Sequence, residues 1–284
     1  MPLAVVQSAH HFRRACMEAR RDGELALVPT MGALHAGHVS LIEAARQRAP
    51  TVAVTIFVNP AQFGPGEDLS RYPRDLDGDL KKCEAAGAAL VFAPETPAAL
   101  YPPGFQTWVE PGPLAQPLDG EKRPGHFRGV ATVVTKLFAL SRADAAFFGE
   151  KDFQQLAVIK RLAADLNLGT EVIGRPIVRE PDGLAMSSRN AYLSREERAQ
   201  AVAIWNALQA ARERFRAGEQ AGAALEAAAR QLLEAAAVRV DYAELRDPIE
   251  LQRASRVDAS TRLLLAAFFG KTRLIDNGAL GENG

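Results

Sequence analysis

The sequence predicts an α/β protein with a doubly wound parallel sheet and a second, smaller α+β domain at its carboxyl end. Up to about residue 178, apolar runs typical of buried strands alternate with amphipathic helical stretches, the pattern of a parallel sheet covered by helices on both faces. Beyond that point two alanine-rich helices come before short strands. The change in pattern predicts a first domain over 1–178 and a second over 179–284.

The elements predicted for the first domain alternate along the chain. Strands are expected over 24–30, 51–60, 88–94, 144–149 and 170–178, and helices over 38–48, 76–86, 130–141 and 152–166. For the second domain the sequence predicts helices over 195–217 and 221–236 and strands over 238–245, 261–269 and 272–277. Because doubly wound sheets bind ligands beyond the carboxyl ends of their strands, the residues at those ends are the first candidates for a site.

Composition excludes several classes of function. Lysine plus arginine equals aspartate plus glutamate at 34 each, so no overall field favours nucleic acid or an anionic membrane. The two cysteines are far apart in sequence, which argues against a disulfide framework or a zinc ribbon. No stretch reaches membrane-spanning length, and the amino terminus lacks the apolar core of a signal peptide. We expect a cytoplasmic protein without nucleic-acid or membrane partners.

The stretch "PTMGALHAGH" follows the first predicted strand. Pro29, Thr30 and Met31 leave the strand, and His35 and His38 share one face of the first turn of a helix. Backbone amides and the positive end of the helix dipole favour an anion there, so we expect amides and both imidazoles to bind a phosphate. Capping or zinc-binding histidines are the alternative, although no HExxH pattern or cysteine partner supports zinc.

The second long strand leads into two groups of polar residues. Asn59 and Gln62 are neutral amides that can hold a small polar substrate, although Asn-Pro is also ordinary turn sequence. Further on, Asp75, Asp77 and Asp79 can hold Mg²⁺ through water-rich coordination. Acidic residues at a helix start are also expected from the helix dipole alone, which is the simpler interpretation.

Two basic clusters precede predicted helices. Lys122, Arg123, His126 and Arg128 lie in a Gly/Pro-rich loop that is either solvated or faces an anion. Lys151 lies at the positive end of the next helix, which is locally unfavourable unless an anion neutralises it. We therefore expect a phosphate near this lysine.

The stretch "AMSSRN" lies at the predicted domain boundary. Ser187, Ser188 and Arg189 supply two hydroxyls and a guanidinium on a loop that can close over phosphates. Taken alone, these residues are also an ordinary turn and helix cap.

Six stretches in this order, "PTMGALHAGH", "FVNPAQFG", "RYPRD", "GHFRGV", "FFGEKDFQQL" and "GLAMSSRNAYLS", resemble the pantothenate synthetases, a family of pantoate–β-alanine ligases. HAGH is similar to the HxGH signature of the nucleotidylyltransferase superfamily, and MSSRN is similar to the KMSKS loop of class I aminoacyl-tRNA synthetases. The resemblance implies a Rossmann-like first domain, a smaller α+β lid domain and a homodimer.

The resemblance also implies a two-step reaction. The carboxylate of pantoate attacks the α-phosphorus of Mg²⁺-bound ATP, which releases pyrophosphate and leaves an enzyme-bound pantoyl adenylate. The amine of β-alanine then attacks the activated carbonyl, giving pantothenate and AMP. Because the substrate carboxylate is the nucleophile, the protein contributes positioning and charge stabilisation.

Site residues follow from the same resemblance. Catalytic roles at the phosphates fall to His35, His38, Lys151, Ser187, Ser188 and Arg189. The ATP-binding set is Pro29, Thr30, Met31, His38, Gly149, Lys151, Asp152, Val178, Met186, Ser187, Ser188 and Arg189. The pantoate-binding set is Met31, Gln62, Gln155, Asn59, Arg123 and Tyr72. Mg²⁺ is held by Asp77 and Asp79 or, because Gly78 interrupts the acidic run, mainly by ATP.

Two other functions remain open from the sequence. A nucleotidylyltransferase would leave the nucleotide on its product, but the Gln62 and Gln155 pair suits a small hydroxy acid better than a phosphorylated acceptor. An RNA-binding module would share the HxGH pattern, but the zero net charge opposes it.

Overall fold

The computed structural model describes residues 3–254 and 256–282 of the chain. The chain divides into two compact units. The first contains the residues up to Glu150 together with Gln154–Pro176, and the second contains Lys151–Phe153 and the residues from Ile177 onward. The short segment Lys151–Phe153 therefore packs with the second unit, although the sequence pattern placed it in the first domain.

The first unit alternates strands and helices. Its strands are β1 (Ala4–Val6), β2 (Leu25–Thr30), β3 (Thr51–Ile56), β4 (Leu90–Phe92), β5 (Ala145–Gly149) and β6 (Glu171–Arg175). The helices are α1 (Ala9–Ala19), α2 (Ala36–Arg48), α3 (Leu76–Ala85), α4 (Asp119–Lys122), α5 (His126–Ser141) and α6 (Phe153–Asp165), the last beginning in the segment that packs with the second unit. Short 3-10 turns lie at Pro60–Gln62, Asp68–Ser70, Pro97–Ala99, Pro113–Ala115 and Glu150–Asp152.

The six strands form a parallel sheet in the order β1-β4-β3-β2-β5-β6, which confirms the predicted fold class. The chain moves outward from β2 in one direction and then returns to add β5 on the other side of β2. Ligands of such sheets bind beyond the carboxyl ends of the strands at this switch point. Thr30 and Gly149 end the two strands concerned.

Strand β2 explains why the parallel strands read as continuous apolar runs. Leu25 and Leu27 belong to the buried cluster that contains α1 and α5 residues, whereas Ala26 and Val28 belong to the cluster on the α2 side. Successive side chains of a strand point to opposite faces, so both faces of β2 must be apolar. The sheet is therefore held in place from both sides.

Strand β1 and helix α1 were not predicted from the sequence. Strand β1 is only three residues long, and charged residues interrupt the apolar positions of α1. The sequence does contain a signal for the helix, because Ser8 caps it by accepting from the amide of His11, and Phe12 and Cys16 are buried four residues apart.

The second unit consists of helices packed on an antiparallel sheet. Its elements are α7 (Arg195–Ala201), α8 (Ala203–Arg216), α9 (Gly222–Ala235), β7 (Arg239–Arg246), β8 (Arg262–Phe269) and β9 (Thr272–Ala279). The sheet order is β7-β8-β9, and a 3-10 turn covers Ser188–Tyr192. The prediction of one helix over 195–217 was wrong, since the helix is broken at Val202. Among the described residues, no helix is both long enough and apolar enough to cross a membrane.

Candidate active site

The histidine loop, defined here as residues 31–38, leaves the carboxyl end of β2. Thr30 anchors its start, because the Thr30 hydroxyl donates to the carbonyl of Thr55 at 2.7 Å and accepts from the amide of Gly32 at 3.2 Å. Gly32 has a φ of 85°, and a Cβ there would lie 3.1 Å from the carboxylate of Asp79. Glycine at this position therefore allows both the left-handed turn and the close approach of Asp79.

Helix α3 holds the middle of the histidine loop. The carboxylate of Asp79, only 1% exposed, accepts from the amides of Ala33 and Leu34 at 2.7 Å each. Lys82, one turn further on, donates to the carbonyl of Leu34 at 2.7 Å. Burial raises the pKa of Asp79, although the two amide bonds and the charge of Lys82 act in the opposite direction.

The two histidines cap helix α2 reciprocally. His35 Nδ1 accepts from the amide of Gly37 at 3.2 Å, and His38 Nδ1 accepts from the amide of His35 at 3.3 Å. The ring centroids are 4.1 Å apart. A neutral imidazole that accepts at Nδ1 carries its proton at Nε2, so this geometry assigns both rings an Nε2–H donor.

The expectation that main-chain amides of this turn bind the phosphate needs correction. The amides of residues 32–35 and 37–39 each donate to an acceptor within the chain, either the Thr30 hydroxyl, Asp79, an imidazole Nδ1 or the carbonyl of His35. The pattern of glycines and histidines in the sequence does not reveal these partners, because Asp79 lies 45 residues further along the chain than Leu34. Because these amides already have acceptors, the imidazole side chains are the candidate phosphate donors of this turn.

Gln62 lies beside Met31 at the end of the neighbouring strand. Its amide nitrogen is 3.2 Å from the sulfur of Met31, and its oxygen accepts from Asn59 at 2.9 Å. Asn59 is 1% exposed and also donates to the carbonyl of Gly129 at 3.1 Å. A Cβ at Gly129 would lie 2.1 Å from the carbonyl oxygen of Ala61, so glycine is needed for α5 to pack this closely. Asn59 was expected to contact pantoate, but in the structure it orients Gln62.

A second network fixes the main chain of Gln62. Glu67 binds Arg123 through two hydrogen bonds of 2.8 and 2.7 Å, and Arg123 Nη1 is 3.1 Å from His126 Nε2. His126 Nδ1 in turn contacts the carbonyl of Gln62 at 2.8 Å. Burial, followed by the charge of Arg123, lowers the pKa of His126 to about 4, so the ring is neutral and donates from Nδ1.

Neither interpretation of the loop before α5, solvated or anion-facing, describes its central residues, because they are bound to protein partners. His126 is 7% exposed, and all three guanidinium nitrogens of Arg123 have protein contacts. Although burial pushes the pKa of Glu67 upward, the hydrogen bonds and charge of Arg123 outweigh it and leave the pKa below its ordinary value. Arg128 lies over the ring of Trp108 at 4.4 Å from its centroid. Glu67, Arg123 and His126 build the wall that holds Gln62, and sequence reasoning missed that role.

Other predicted residues of the first unit fall into two groups. Tyr72 is buried and lies edge-on to Phe63 with ring centroids 6.1 Å apart, so its ring is packed in the interior. Gln155 is half-buried in the first turn of α6, whereas its neighbour Gln154 donates to the carbonyls of Leu114 and Pro117 at 2.9 and 2.7 Å. Of the two consecutive glutamines, Gln154 is structural and Gln155 remains the candidate for substrate contact.

In the second unit, residues of the antiparallel sheet contact the segment that contains Lys151. Its side chain is 20% exposed and lies 3.8 Å from the carboxylate of Asp152. The main-chain carbonyl of Lys151 accepts from Asn277 Nδ2 at 2.8 Å. The guanidinium of Arg262 lies 4.1 Å from the ring centroid of Phe153.

The serine loop, defined here as residues 178–190, also packs on this sheet. It closes as a narrow hairpin in which the amide of Met186 donates to the carbonyl of Val178 at 3.0 Å. Arg179 binds Asp276 with two hydrogen bonds of 2.7 and 2.9 Å. Ser187 caps the following 3-10 turn by accepting from the amide of Arg189 at 3.2 Å. Lys151, Met186, Ser187 and Arg189 therefore belong to one unit.

The structure does not assemble a protein metal site at the acidic run. Within residues 3–254 and 256–282, no group of three or more His, Cys, Asp or Glu side chains is arranged to hold a metal ion. Asp79 is turned inward on the histidine loop, and Asp77 is exposed two residues earlier on α3. The buried carboxylate needed for an Asp77–Asp79 pair is thus committed to main-chain amides.

Comparison with known proteins gives a consistent family. The sequence model of the family described as Pantoate-beta-alanine ligase matches residues 4–279. The chain is 59% identical over 276 residues to a protein named Pantothenate synthetase from Anaeromyxobacter dehalogenans, covering 95% of this chain and 96% of the relative. It is also 59% identical over 284 residues to a Pantothenate synthetase from Myxococcus xanthus, covering 99% of this chain and 97% of the relative.

Solved structures agree along the whole chain. A pantothenate synthetase from Thermus thermophilus is similar with a TM-score of 0.94 at 45% identity, covering 99% of this chain and 100% of that one. A pantoate-beta-alanine ligase from Francisella tularensis, complexed with β-γ ATP and β-alanine, is similar with a TM-score of 0.84 at 32% identity and covers 99% of each chain.

Proposed function

The chain belongs to the pantoate–β-alanine ligase family, and on that premise we propose how its residues divide the work of the reaction. It catalyses the ATP-dependent condensation of pantoate with β-alanine, which yields pantothenate, AMP and pyrophosphate through an enzyme-bound pantoyl adenylate. The first step transfers an adenylyl group to a carboxylate. The substrate supplies the nucleophile, so the protein's task is to position the reactants and stabilise charge at the phosphorus.

The reciprocal capping of His35 and His38 is the observation that carries the catalytic proposal. Each Nδ1 accepts a main-chain N–H, which leaves the proton on each Nε2. The two rings lie side by side, with centroids 4.1 Å apart, so two N–H donors are available to one triphosphate. His35 and His38 bind the phosphates and stabilise the negative charge that grows as the α-phosphorus becomes five-coordinate, with His38 nearer the nucleoside.

The remaining ATP contacts are divided between two groups. Pro29, Thr30 and Gly149 line the nucleoside pocket at the switch point of the sheet, where a Cβ at Gly149 would meet no other atom within 4 Å. In the second unit, the groups that bind the β and γ phosphates and the leaving pyrophosphate are Lys151, Ser187, Ser188 and Arg189. Asp152, Val178 and Met186 contact the nucleoside.

Pantoate is bound by Met31, Gln62 and Gln155. The Gln62 side chain is held by Asn59 on one side and Met31 on the other, so its amide is presented in a single orientation. Neutral amides can form hydrogen bonds with the hydroxyl groups of pantoate. They carry no positive charge that would pair with its carboxylate, which must stay nucleophilic. Asn59, Tyr72 and Arg123 support this wall.

Magnesium reaches the enzyme on ATP. The groups proposed for the phosphates include the ammonium of Lys151 and the guanidinium of Arg189, whose positive charges suit phosphate oxygens and repel a divalent cation. The ion, when bound, neutralises charge on the phosphate oxygens. A homodimer, a cytoplasmic location and a lid role for residues 179–284 stay predictions from the sequence.

The test is the exchange of labelled pyrophosphate into ATP. Because the adenylate forms before β-alanine is needed, exchange should require pantoate and proceed without β-alanine. Lys151→Ala should lower it by a factor on the order of 100, because a charge-stabilising donor is lost. Lys160→Ala is the matched control, since Lys160 is exposed on α6. Exchange that is independent of pantoate, or a nucleotide retained on the final product, would reject the assignment.

A further inference from the structure

Two adjacent residues of β9 contact the two segments of the second unit that we assign to phosphate binding. Asn277 donates to the main-chain carbonyl of Lys151, and Asp276 binds Arg179 in the serine loop. Both are buried, with 1% of Asp276 and 2% of Asn277 exposed. Neither residue has a role in the reaction described above.

Only an amide side chain can do what Asn277 does. Its Nδ2 donates to a carbonyl that can only accept, and its Oδ1 accepts from Arg262, which can only donate. The partners therefore fix the orientation of the amide. Arg262 also contacts the segment Lys151–Phe153 directly, because its guanidinium lies 4.1 Å from the ring centroid of Phe153.

Asp276 acts on the other segment through a two-point ion pair. The carboxylate accepts from two nitrogens of Arg179 at 2.7 and 2.9 Å, a geometry that fixes direction as well as distance. Arg179 also donates to the carbonyl of Gly183 at 3.0 Å, which ties the tip of the hairpin to its base. The Asp276 carboxylate also accepts a hydrogen bond from the main-chain N–H of Asn277 at 2.8 Å, so the two residues are coupled.

We propose that Asp276 and Asn277, neighbours on β9, are positioning residues for ATP. Asn277 fixes the main chain of Lys151, and Asp276 fixes the serine loop. The inference rests on the proposed role of Lys151. A lysine has a long, flexible side chain, so its ammonium can be placed only if its main chain is fixed. An error of about 1 Å in placing a group that stabilises the transition state can cost about 100-fold in rate.

The test is a double-mutant cycle between Asn277→Asp and Lys151→Ala. The carboxylate keeps the pairing with Arg262 but replaces the donor facing the Lys151 carbonyl by an acceptor. We expect Asn277→Asp alone to lower pantoate-dependent pyrophosphate exchange by about 10- to 100-fold and to raise the KM for ATP, with the KM for pantoate unchanged within twofold. In the Lys151→Ala background the same substitution should have almost no further effect, because it acts through that lysine.

Asp241→Asn is the matched control for a general loosening of the sheet. Asp241 on β7 binds Arg273 on β9 at 2.8 Å, so this ion pair ties together strands of the same sheet. We expect this variant to keep wild-type exchange even if its unfolding temperature falls. Should Asn277→Asp not fold, Asn277→Ser, which is too short to reach Lys151 and adds no charge, enters the same cycle.

The outcomes separate the two proposals. If Lys151→Ala keeps wild-type exchange, the proposed role of Lys151 fails. If Lys151→Ala loses activity but the effect of Asn277→Asp is absent or fully additive to it, the positioning inference is overturned while the role of Lys151 stands. A loss in Asp241→Asn equal to that in Asn277→Asp would also overturn it, because a merely structural role would then explain both.

Discussion

In the first unit the histidine loop is held by a carboxylate that accepts from main-chain amides, whereas in the second unit Lys151 is held by an amide that donates to a main-chain carbonyl. The carboxylate of Asp79 carries a buried charge, and burial raises its pKa. The side-chain amide of Asn277 is neutral and accepts a hydrogen bond from Arg262. In both cases the hydrogen bond fixes a main-chain segment, and the contacts proposed for ATP come from side chains on that segment.

The difference predicts how each region responds to substitution. Removing the donor that faces ATP should reduce the rate most, because the donor acts in the transition state. Removing an anchor should reduce it less and should also affect stability where the anchor is charged. Three sets of variants test this ordering within the first unit, from the largest expected effect to the smallest.

The largest effect is expected from His38→Asn compared with His38→Gln. The asparagine places a polar atom near Nδ1, so the cap on the His35 amide can persist while the Nε2 donor is lost. The glutamine reaches the Nε2 position and keeps a donor for the phosphate. We expect pyrophosphate exchange to fall by a factor on the order of 100 in His38→Asn and by clearly less in His38→Gln. Equal losses in both would mean that capping, not donation, is what His38 contributes.

A smaller effect is expected from Asp79→Asn, measured beside Asp77→Asn. The asparagine keeps one acceptor for the histidine loop but turns an NH₂ group toward the second amide. We expect a loss of about 1–3 kcal/mol in the free energy of unfolding and roughly a tenfold slower exchange. Asp77→Asn removes an exposed carboxylate from the first turn of the same helix, so it should leave exchange unchanged and lower the free energy of unfolding by less than about 1 kcal/mol.

Magnesium titration distinguishes this role from metal binding. If Asp79 positions the loop, excess Mg²⁺ should leave the Asp79→Asn rate low. Full rescue by excess Mg²⁺ would instead support Asp79 as a metal ligand. Its role as an anchor of the histidine loop would then be wrong.

How much of this arrangement the sequence could predict depends on the distance between partners along the chain. Strands β2 to β6, most of their helices and the His35–His38 pair were predictable, because periodicity and i, i+3 spacing are local. Asp79 and Asn277 were not, since they act on main-chain atoms 45 and 126 residues away in sequence, and hydrogen bonds to a backbone leave no residue pattern at the partner. The same limit explains why Arg123 was read as a ligand for pantoate when Glu67 already holds it.

The smallest effect on the rate is expected from His126→Asn, which tests the neutral wall behind Gln62. Asparagine can still donate to the Gln62 carbonyl from the Nδ1 position, so at pH 8 we expect the KM for pantoate to rise by less than about tenfold, with kcat nearly unchanged. The clearer signature is the dependence of stability on pH.

The folded-state pKa of His126 is lowered from 6.5 to about 4, so between these values the unfolded chain binds a proton that the folded chain does not. The wild-type free energy of unfolding should therefore fall as pH drops from 6.5 to about 4, by about 3 kcal/mol from this group alone. The His126→Asn variant has no imidazole at this position, so its free energy of unfolding should not show this fall. Urea unfolding should show the variant less stable at pH 8 because of its cavity, with the gap narrowing steadily toward pH 4. A constant gap across that range would mean that His126 takes up a proton in the folded protein, and the uncharged support proposed for Gln62 would have to be abandoned.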